Sequence, residues 1–218
     1  MLVKGDVTEV RIDSQGLRGL LGIPGGARGV VIFAHGSGSG RLSPRNNHVA
    51  AALRRAGLGT FLLDLLTPQE EADRGNVFDI ELLATRLDEA TRWIARQSAT
   101  KDFVPAYFGA STGAAAALTA ASLPGSRIAA VVSRGGRPDL ALEVLPRVKA
   151  PTLLLVGSLD GPVIGMNERA LAALGGEKRL VIVPGAGHLF EEPGTMEQVV
   201  RHATDWFLAH LVRPTLPR

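Results

Sequence analysis

Three observations predict an α/β fold: a mostly parallel central sheet, opened by an antiparallel hairpin, with helices on both faces and no large cap domain. Short apolar strands alternate with amphipathic helices along the chain, the pattern of a parallel sheet with crossover helices. Several of those strands are continuous apolar runs, as strands covered on both faces must be. The polar residues that interrupt the pattern gather just after strand ends, where such sheets form their sites. With 218 residues, 45% of them hydrophobic and 21% charged, the chain suffices for one domain with a substantial core. No repeat or linker divides it, so 1–218 is read as a single domain.

Taken in order, Val7 to Ile12 alternates as a strand, Asp13 to Gly16 reads as a turn, and Leu17 to Ile23 returns as the second strand of a hairpin. Val30 to Ala34 is a buried strand leading into the glycine-rich loop His35-Gly36-Ser37-Gly38-Ser39-Gly40. Ser43-Pro44 offers an N-cap and a first-turn proline for a helix that ends at the left-handed stop of Gly57. Thr60 to Leu66 is a strand, and the acid-rich stretch from Thr67 to Val77 reads as an exposed loop. Asp79 caps a helix to about Arg96, with Ile80, Leu83, Leu87 and Ile94 on its apolar side. Phe103 to Phe108 is a strand, Thr112 to Leu123 a helix and Ile128 to Ser133 a strand. Pro138 to Val148 is a short helix, Thr152 to Val156 a strand, and Gly165 to Leu174 a helix stopped by Gly175-Gly176. Arg179 to Val183 is the last strand. Thr195 and Gln198 match a capping box for a helix to Leu211, and 214–218 form a loose tail.

Composition removes several function classes. The net charge is only +3, and no basic run interleaved with aromatics suggests a nucleic-acid surface. The absence of cysteine excludes disulfides, thiolate metal sites and a cysteine nucleophile. No apolar run is long enough to span a membrane and the first residues carry no signal-type segment, so the expected location is cytoplasmic. The glycine-rich loop fits neither a Walker loop, which needs Gly-Lys-Ser/Thr, nor a dinucleotide fingerprint, because Arg41 stands where the third glycine belongs. No paired-histidine zinc motif occurs, and the expected chemistry needs no cofactor and no metal.

The residues after the strand ends carry chemistry. Gly109-Ala110-Ser111-Thr112-Gly113 lies between an apolar strand and an alanine-rich helix. Taken alone it is equally an ordinary Gly-Ser turn. As a nucleophile elbow, it would force the Ser111 hydroxyl off the sheet edge, its flanking glycines permitting the tight bend. A serine hydroxyl needs a base, which His188 supplies from the turn after the last strand. Asp160, after the Thr152 strand, would fix the histidine tautomer and stabilise its cation. The N–H groups of Thr112 and Ser37 are the candidate oxyanion donors, with Gly36 and Gly38 letting the backbone approach substrate. His35 is expected to orient that loop; His48, His202 and His210 are read as structural. Arg134, Arg137, Arg41 and Phe190 are candidate substrate contacts, the arginines as holders of a carboxylate. A surface-loop role, with Arg137 on Asp139, is the competing reading.

The runs HGSGSGRLSPRN, DLLTPQEE, YFGASTGAAAAL, VVSRGGRPDL, APTLLLVG and VPGAGHLFEEPG resemble the α/β-hydrolase superfamily, and within it the dienelactone-hydrolase-like group, over Val30 to Leu211. The order Ser111, Asp160, His188 is that of the superfamily's triad. The resemblance implies a serine hydrolase acting on small or short-chain esters or lactones. It departs from the dienelactone hydrolases proper, whose nucleophile is cysteine. Thioesterase or peptidase activity would use the same residues, and a binding protein that keeps the fold is the alternative from another class. Some members of this group are fused to a phosphoribosyltransferase-like domain, which implies association with such a protein. A homodimer is a further expected assembly.

Overall fold

The structure is a computed structural model and describes residues 7–12 and 16–211. One eight-stranded sheet runs through it in the order β1-β2-β4-β3-β5-β6-β7-β8. The strands are β1 (Val7–Ile12), β2 (Leu17–Gly22), β3 (Val30–Ala34), β4 (Gly59–Leu63), β5 (Pro105–Ala110), β6 (Val131–Arg134), β7 (Thr152–Gly157) and β8 (Lys178–Val183). β1 and β2 form the antiparallel hairpin, β2 joins β4 antiparallel, and every later pairing is parallel. Of the turn expected at 13–16, residues 13–15 lie outside the described residues, as does the tail expected at 214–218.

Seven helices complete the described chain: α1 (Pro44–Arg55), α2 (Pro68–Glu71), α3 (Arg74–Phe78), α4 (Ile80–Arg96), α5 (Thr112–Ala121), α6 (Gly161–Ala173) and α7 (Thr195–His210). Alternation along single strands divides the core. Ile32, Tyr107, Val131 and Leu154 face one layer with Leu83, Leu87 and Leu118, whereas Phe33, Phe108, Val132 and Leu155 face the other with Val49, Leu53 and Phe207. Period-two side chains on a sheet buried on both faces must divide in this way. Alanine dominates α5 because that helix lies between the sheet and α4 with nine of its ten residues buried.

Four expectations change in the helices and their caps. The stretch at 67–77 is largely exposed but helical: Thr67 caps α2 with a true capping box, and Glu70 also binds Arg86 of α4 at 2.7 Å. The Pro138–Val148 helix is instead two short 3₁₀ turns, Pro138–Ala141 and Leu145–Arg147. The helix expected from Gly165 begins at Gly161, with Pro162 in its first turn. The Thr195–Gln198 capping box does not form; Gly194 in a left-handed conformation opens α7, and Thr195 Oγ1 donates to the Glu192 carbonyl instead. That pattern requires only two residue types three apart, so it also matches where a preceding glycine turn has already set the chain's direction.

Candidate active site

Ser111 stands between β5 and α5 with φ 51° and ψ −123°, a conformation that side-chain-bearing residues rarely adopt. Strain of this kind costs about 1–3 kcal/mol and persists only where the surroundings impose it. Here they do. The Ser111 N–H donates to the Arg134 carbonyl at 3.3 Å, and its carbonyl accepts from Ala114 and Arg137 N–H groups, each at 3.1 Å. The flanking glycines let α5 close on the sheet. A Cβ on Gly109 would lie 2.4 Å from Ala114 Cα, and one on Gly113 only 2.2 Å from the Ala34 carbonyl oxygen.

Asp160 and His188 meet from neighbouring turns. His188 Nδ1 lies 2.7 Å from Asp160 Oδ2, so Nδ1 carries the proton and Nε2 is left with its lone pair. Asp160 occupies the N-cap of α6 yet caps nothing, because its carboxylate is spent on the histidine. The two turns are laced together: Gly185 N–H donates to Ser158 Oγ at 2.8 Å and Leu159 N–H to the Ala186 carbonyl at 2.9 Å. Gly157 permits this contact, since a Cβ there would meet Ala186 O at 2.2 Å. Gly135 connects this pair to the elbow. It follows Arg134, which holds Ser111 N–H, and its Cβ position lies 3.0 Å from the His188 carbonyl. No hydrogen bond joins the Ser111 hydroxyl to the His188 ring. Such bonds are often long in free enzymes and tighten in the complex.

The β3–α1 loop forms the opposite wall. Gly36 abuts the serine, with its Cβ position 3.0 Å from Ser111 Cβ. The Ser37 N–H donates to Thr112 Oγ1 at 3.2 Å, which brings the two expected oxyanion donors together but occupies one of them. His35 orients this loop: Leu65 N–H donates to Nε2 and Nδ1 binds the Gly36 carbonyl, each at 3.0 Å. Nδ1 is therefore the protonated nitrogen, and burial lowers the pKa despite the opposing Gly36 carbonyl, Asp64 and Glu71. A cleft of about 550 Å³ opens beside Ser37, between the 37–45 loop and a wall made by Asp64, Leu66, Pro68 and Glu71. The first turn of α2 thus borders the cleft.

The expected substrate contacts fare unevenly. Arg41 lines the cleft, but its guanidinium is held by Asp64 at 2.5 Å and Glu9 at 3.1 Å. Arg137 forms a two-pronged bond to Asp139 at 2.9 and 2.8 Å, the competing reading of that loop. Phe190 is only 2% exposed; it anchors the histidine turn in the core, so burial corrects its expected substrate contact. Arg134 is likewise 7% exposed, stacked 5.9 Å over the Phe108 ring, with no acidic partner among the described residues. Burial, then the charge of Arg45, lowers its pKa to about 10, so it stays cationic at neutral pH. Sequence reasoning missed Asn167 and Glu192. Asn167 is a fully buried helix residue that binds the Gly136 carbonyl at 3.1 Å. The Glu192 carboxyl is held below its usual range chiefly by the Gly187 N–H, which closes the histidine turn.

A parallel sheet entered by a hairpin, with a strained serine between its central strand and an inner helix, defines an α/β-hydrolase. The chain belongs to the dienelactone hydrolase family, whose sequence profile matches residues 17–211. It is similar to a dienelactone hydrolase from Anabaena variabilis, 53% identical with a TM-score of 0.90 over 95% of this chain and 98% of that one. Est1E from Butyrivibrio proteoclasticus shares the fold at 14% identity and a TM-score of 0.79, over 94% of this chain and 98% of that one. A Mycobacterium tuberculosis protein carrying a phosphoribosyl transferase name is 58% identical over 196 residues, 90% of this chain. The matched segment is 44% of that relative, so the chain spans less than half its length.

Proposed function

We propose that this chain hydrolyses carboxylic esters, of small or short-chain alcohols and acids or as lactones, through an acyl-enzyme on Ser111. The observation that carries the reading is the strained Ser111 turn, joined through Arg134 and Gly135 to the turn of a histidine whose Nδ1 is committed to a carboxylate. Ser111 Oγ attacks the carbonyl carbon while His188 Nε2 takes its proton. The resulting oxyanion faces the N–H of Thr112, which is free at the first turn of α5, and that of Ser37. Ser37 would release or share its bond to Thr112 Oγ1 as the oxyanion forms. Collapse expels the alcohol, which leaves with the proton from His188. Water then adds to the acyl-enzyme by the same proton route, releasing the acid and restoring Ser111. Asp160 holds the ring and stabilises its cation throughout.

The family and the dienelactone hydrolase it resembles support ester chemistry over thioester or peptide cleavage. The reading concerns this segment alone; a role beside a phosphoribosyl transferase, a homodimer and a cytoplasmic location belong to the same proposal. Labelling with a fluorophosphonate, followed by peptide mapping, tests it. The adduct is expected on Ser111 and absent from Ser111→Ala, whose turnover of 4-nitrophenyl acetate should fall by about 10⁴-fold or more. Labelling of Ser111→Ala at the wild-type rate would refute the assignment.

A further inference from the structure

Asn167 is 0% exposed in the middle of α6, far from any solvent that would reward its polarity. Its Nδ2 donates to the Gly136 carbonyl at 3.1 Å and to the Val163 carbonyl at 2.9 Å. Two carbonyls at those distances require the amide nitrogen, not the oxygen, to face them. The Gly136 carbonyl and the Arg137 N–H belong to one peptide unit, and in a trans peptide these groups point in opposite directions. Every described peptide is trans. On its far side, therefore, that unit presents the Arg137 N–H, which donates to the Ser111 carbonyl at 3.1 Å. The Ser111 carbonyl in turn shares a peptide unit with the Thr112 N–H.

We infer that Asn167 is a positioning residue for the oxyanion hole, acting through two peptide units in series. The chain runs from Asn167 Nδ2–H to Gly136 C=O, from Arg137 N–H to Ser111 C=O, and ends at the Thr112 N–H. Each bond polarises the next, so the last donor is aimed and strengthened before substrate arrives. Gly136 makes the first link possible, because a Cβ there would lie 2.0 Å from Ser133 Oγ. α6 gives the device a second consequence. Asp160 at its N-cap and Asn167 seven residues later fall on one helical stripe, roughly 10 Å apart along the axis. One rigid helix thereby sets the spacing between the histidine's carboxylate and the nucleophile's peptide. The inference rests on the ester-hydrolase reading for its kinetic test but not for its spectroscopic one.

In Asn167→Ala, kcat on 4-nitrophenyl acetate should fall by about 10- to 100-fold, with KM within about twofold, while circular dichroism remains native. Asn167→Asp separates positioning from packing. Ionised, the introduced carboxylate cannot donate to Gly136; protonated, it supplies one O–H for that bond. Its kcat relative to wild type at each pH should therefore rise as pH falls. The amide resonance of Thr112 should titrate with it, and this readout needs no turnover. A folded Asn167→Ala with wild-type kcat would overturn the inference, as would a flat ratio and a static Thr112 resonance in Asn167→Asp. Should Asn167→Ala fail to fold, the Asn167→Asp titration decides alone. Loss of labelling specificity for Ser111 would instead refute the ester-hydrolase reading and leave the Thr112 titration as the test.

Discussion

The two walls of the site are held by different forces. On the Ser111 side, around β5 and α5, the contacts that hold the turn are backbone hydrogen bonds and glycine-permitted close approaches, with charge entering in the Arg137–Asp139 pair and in the Arg134 guanidinium over the Phe108 ring. On the cleft side, the 37–45 loop is tied by charged groups: Arg41 to Asp64 and Glu9, and Arg45 to Glu191. Neutral bonds hold it as well: the Ser37 N–H donates to Thr112 Oγ1, and His35, at the head of the loop, accepts from the Leu65 N–H just after β4. The Ser111 wall is therefore expected to respond less to salt than the cleft wall. Charged pairs near water are weakened by screening, whereas buried backbone bonds and steric contacts are not.

The largest effect should come from breaking the Ser111 wall. In Gly113→Ala the new Cβ would meet the Ala34 carbonyl at 2.2 Å and the His35 carbonyl at 2.4 Å, both backbone atoms that cannot turn aside. The expected cost is about 3 kcal/mol or more in urea unfolding, equal at low and high salt. A stable variant would mean that α5 can slide on the sheet and that the elbow is not fixed by contact. Asp64→Asn should break the other wall more gently. It keeps an acceptor for Arg41 N–H, at 2.7 Å, but loses the ionic bond to the Arg41 guanidinium. A loss of about 1–2 kcal/mol is expected at low ionic strength, shrinking in 0.5 M salt. An unchanged loss at both ionic strengths would remove the contrast.

A smaller effect marks the junction. Burial holds the His35 pKa below its ordinary 6.5, whereas the unfolded chain takes up a proton near that value. The neutral ring therefore stabilises the fold fully above pH 6.5, and this contribution is lost as pH falls towards the depressed folded value. His202 is lowered too, mainly by burial, so wild type alone does not isolate the effect. Against His35→Gln, which can both donate to Gly36 and accept from Leu65, the wild-type curve should fall faster below pH 6.5. One proton limits the difference to about 1.4 kcal/mol per pH unit. Parallel curves would show that His35 does not carry the acid sensitivity.

The contrast also explains what the sequence could reveal. Ser111 and Asp160 follow strands buried along nearly their whole length, which leaves a continuous apolar signal, whereas β8 before His188 is a largely exposed edge strand legible from its apolar run Leu180 to Val183. Gly109 and Ala110 read as a turn although β5 runs through them, because nothing in a glycine tells close packing from a bend. Asn167 was invisible: an asparagine within a helix is usually solvated, and only the fold places it behind Gly136. The α2 cap was hidden in an acid-rich stretch whose charge suggested a loop, while Arg86, its partner, lies 16 residues away. The residues that follow strand ends were readable, whereas a cap inside a charged stretch and a packing partner behind the sheet were not.

Arg134 fits neither wall, and for that reason it sharpens the comparison best. It is a buried cation on the Ser111 side, where the bonds that hold the turn are uncharged backbone bonds, and its Nη1 has no partner among the described residues. An unpaired buried charge is a liability that an apolar side chain of similar volume removes. Arg134→Met should therefore leave stability unchanged or raise it by about 1 kcal/mol, the smallest effect here and the only one of favourable sign. If the guanidinium instead swings out to hold a carboxylate, turnover of anionic esters should fall selectively while neutral esters are spared. An equal loss on both classes, with lower stability, would mean that the cation–ring contact with Phe108 supports β6. That result would make the strand beside the Ser111 turn depend on a charged contact, and the division between the two walls would fail.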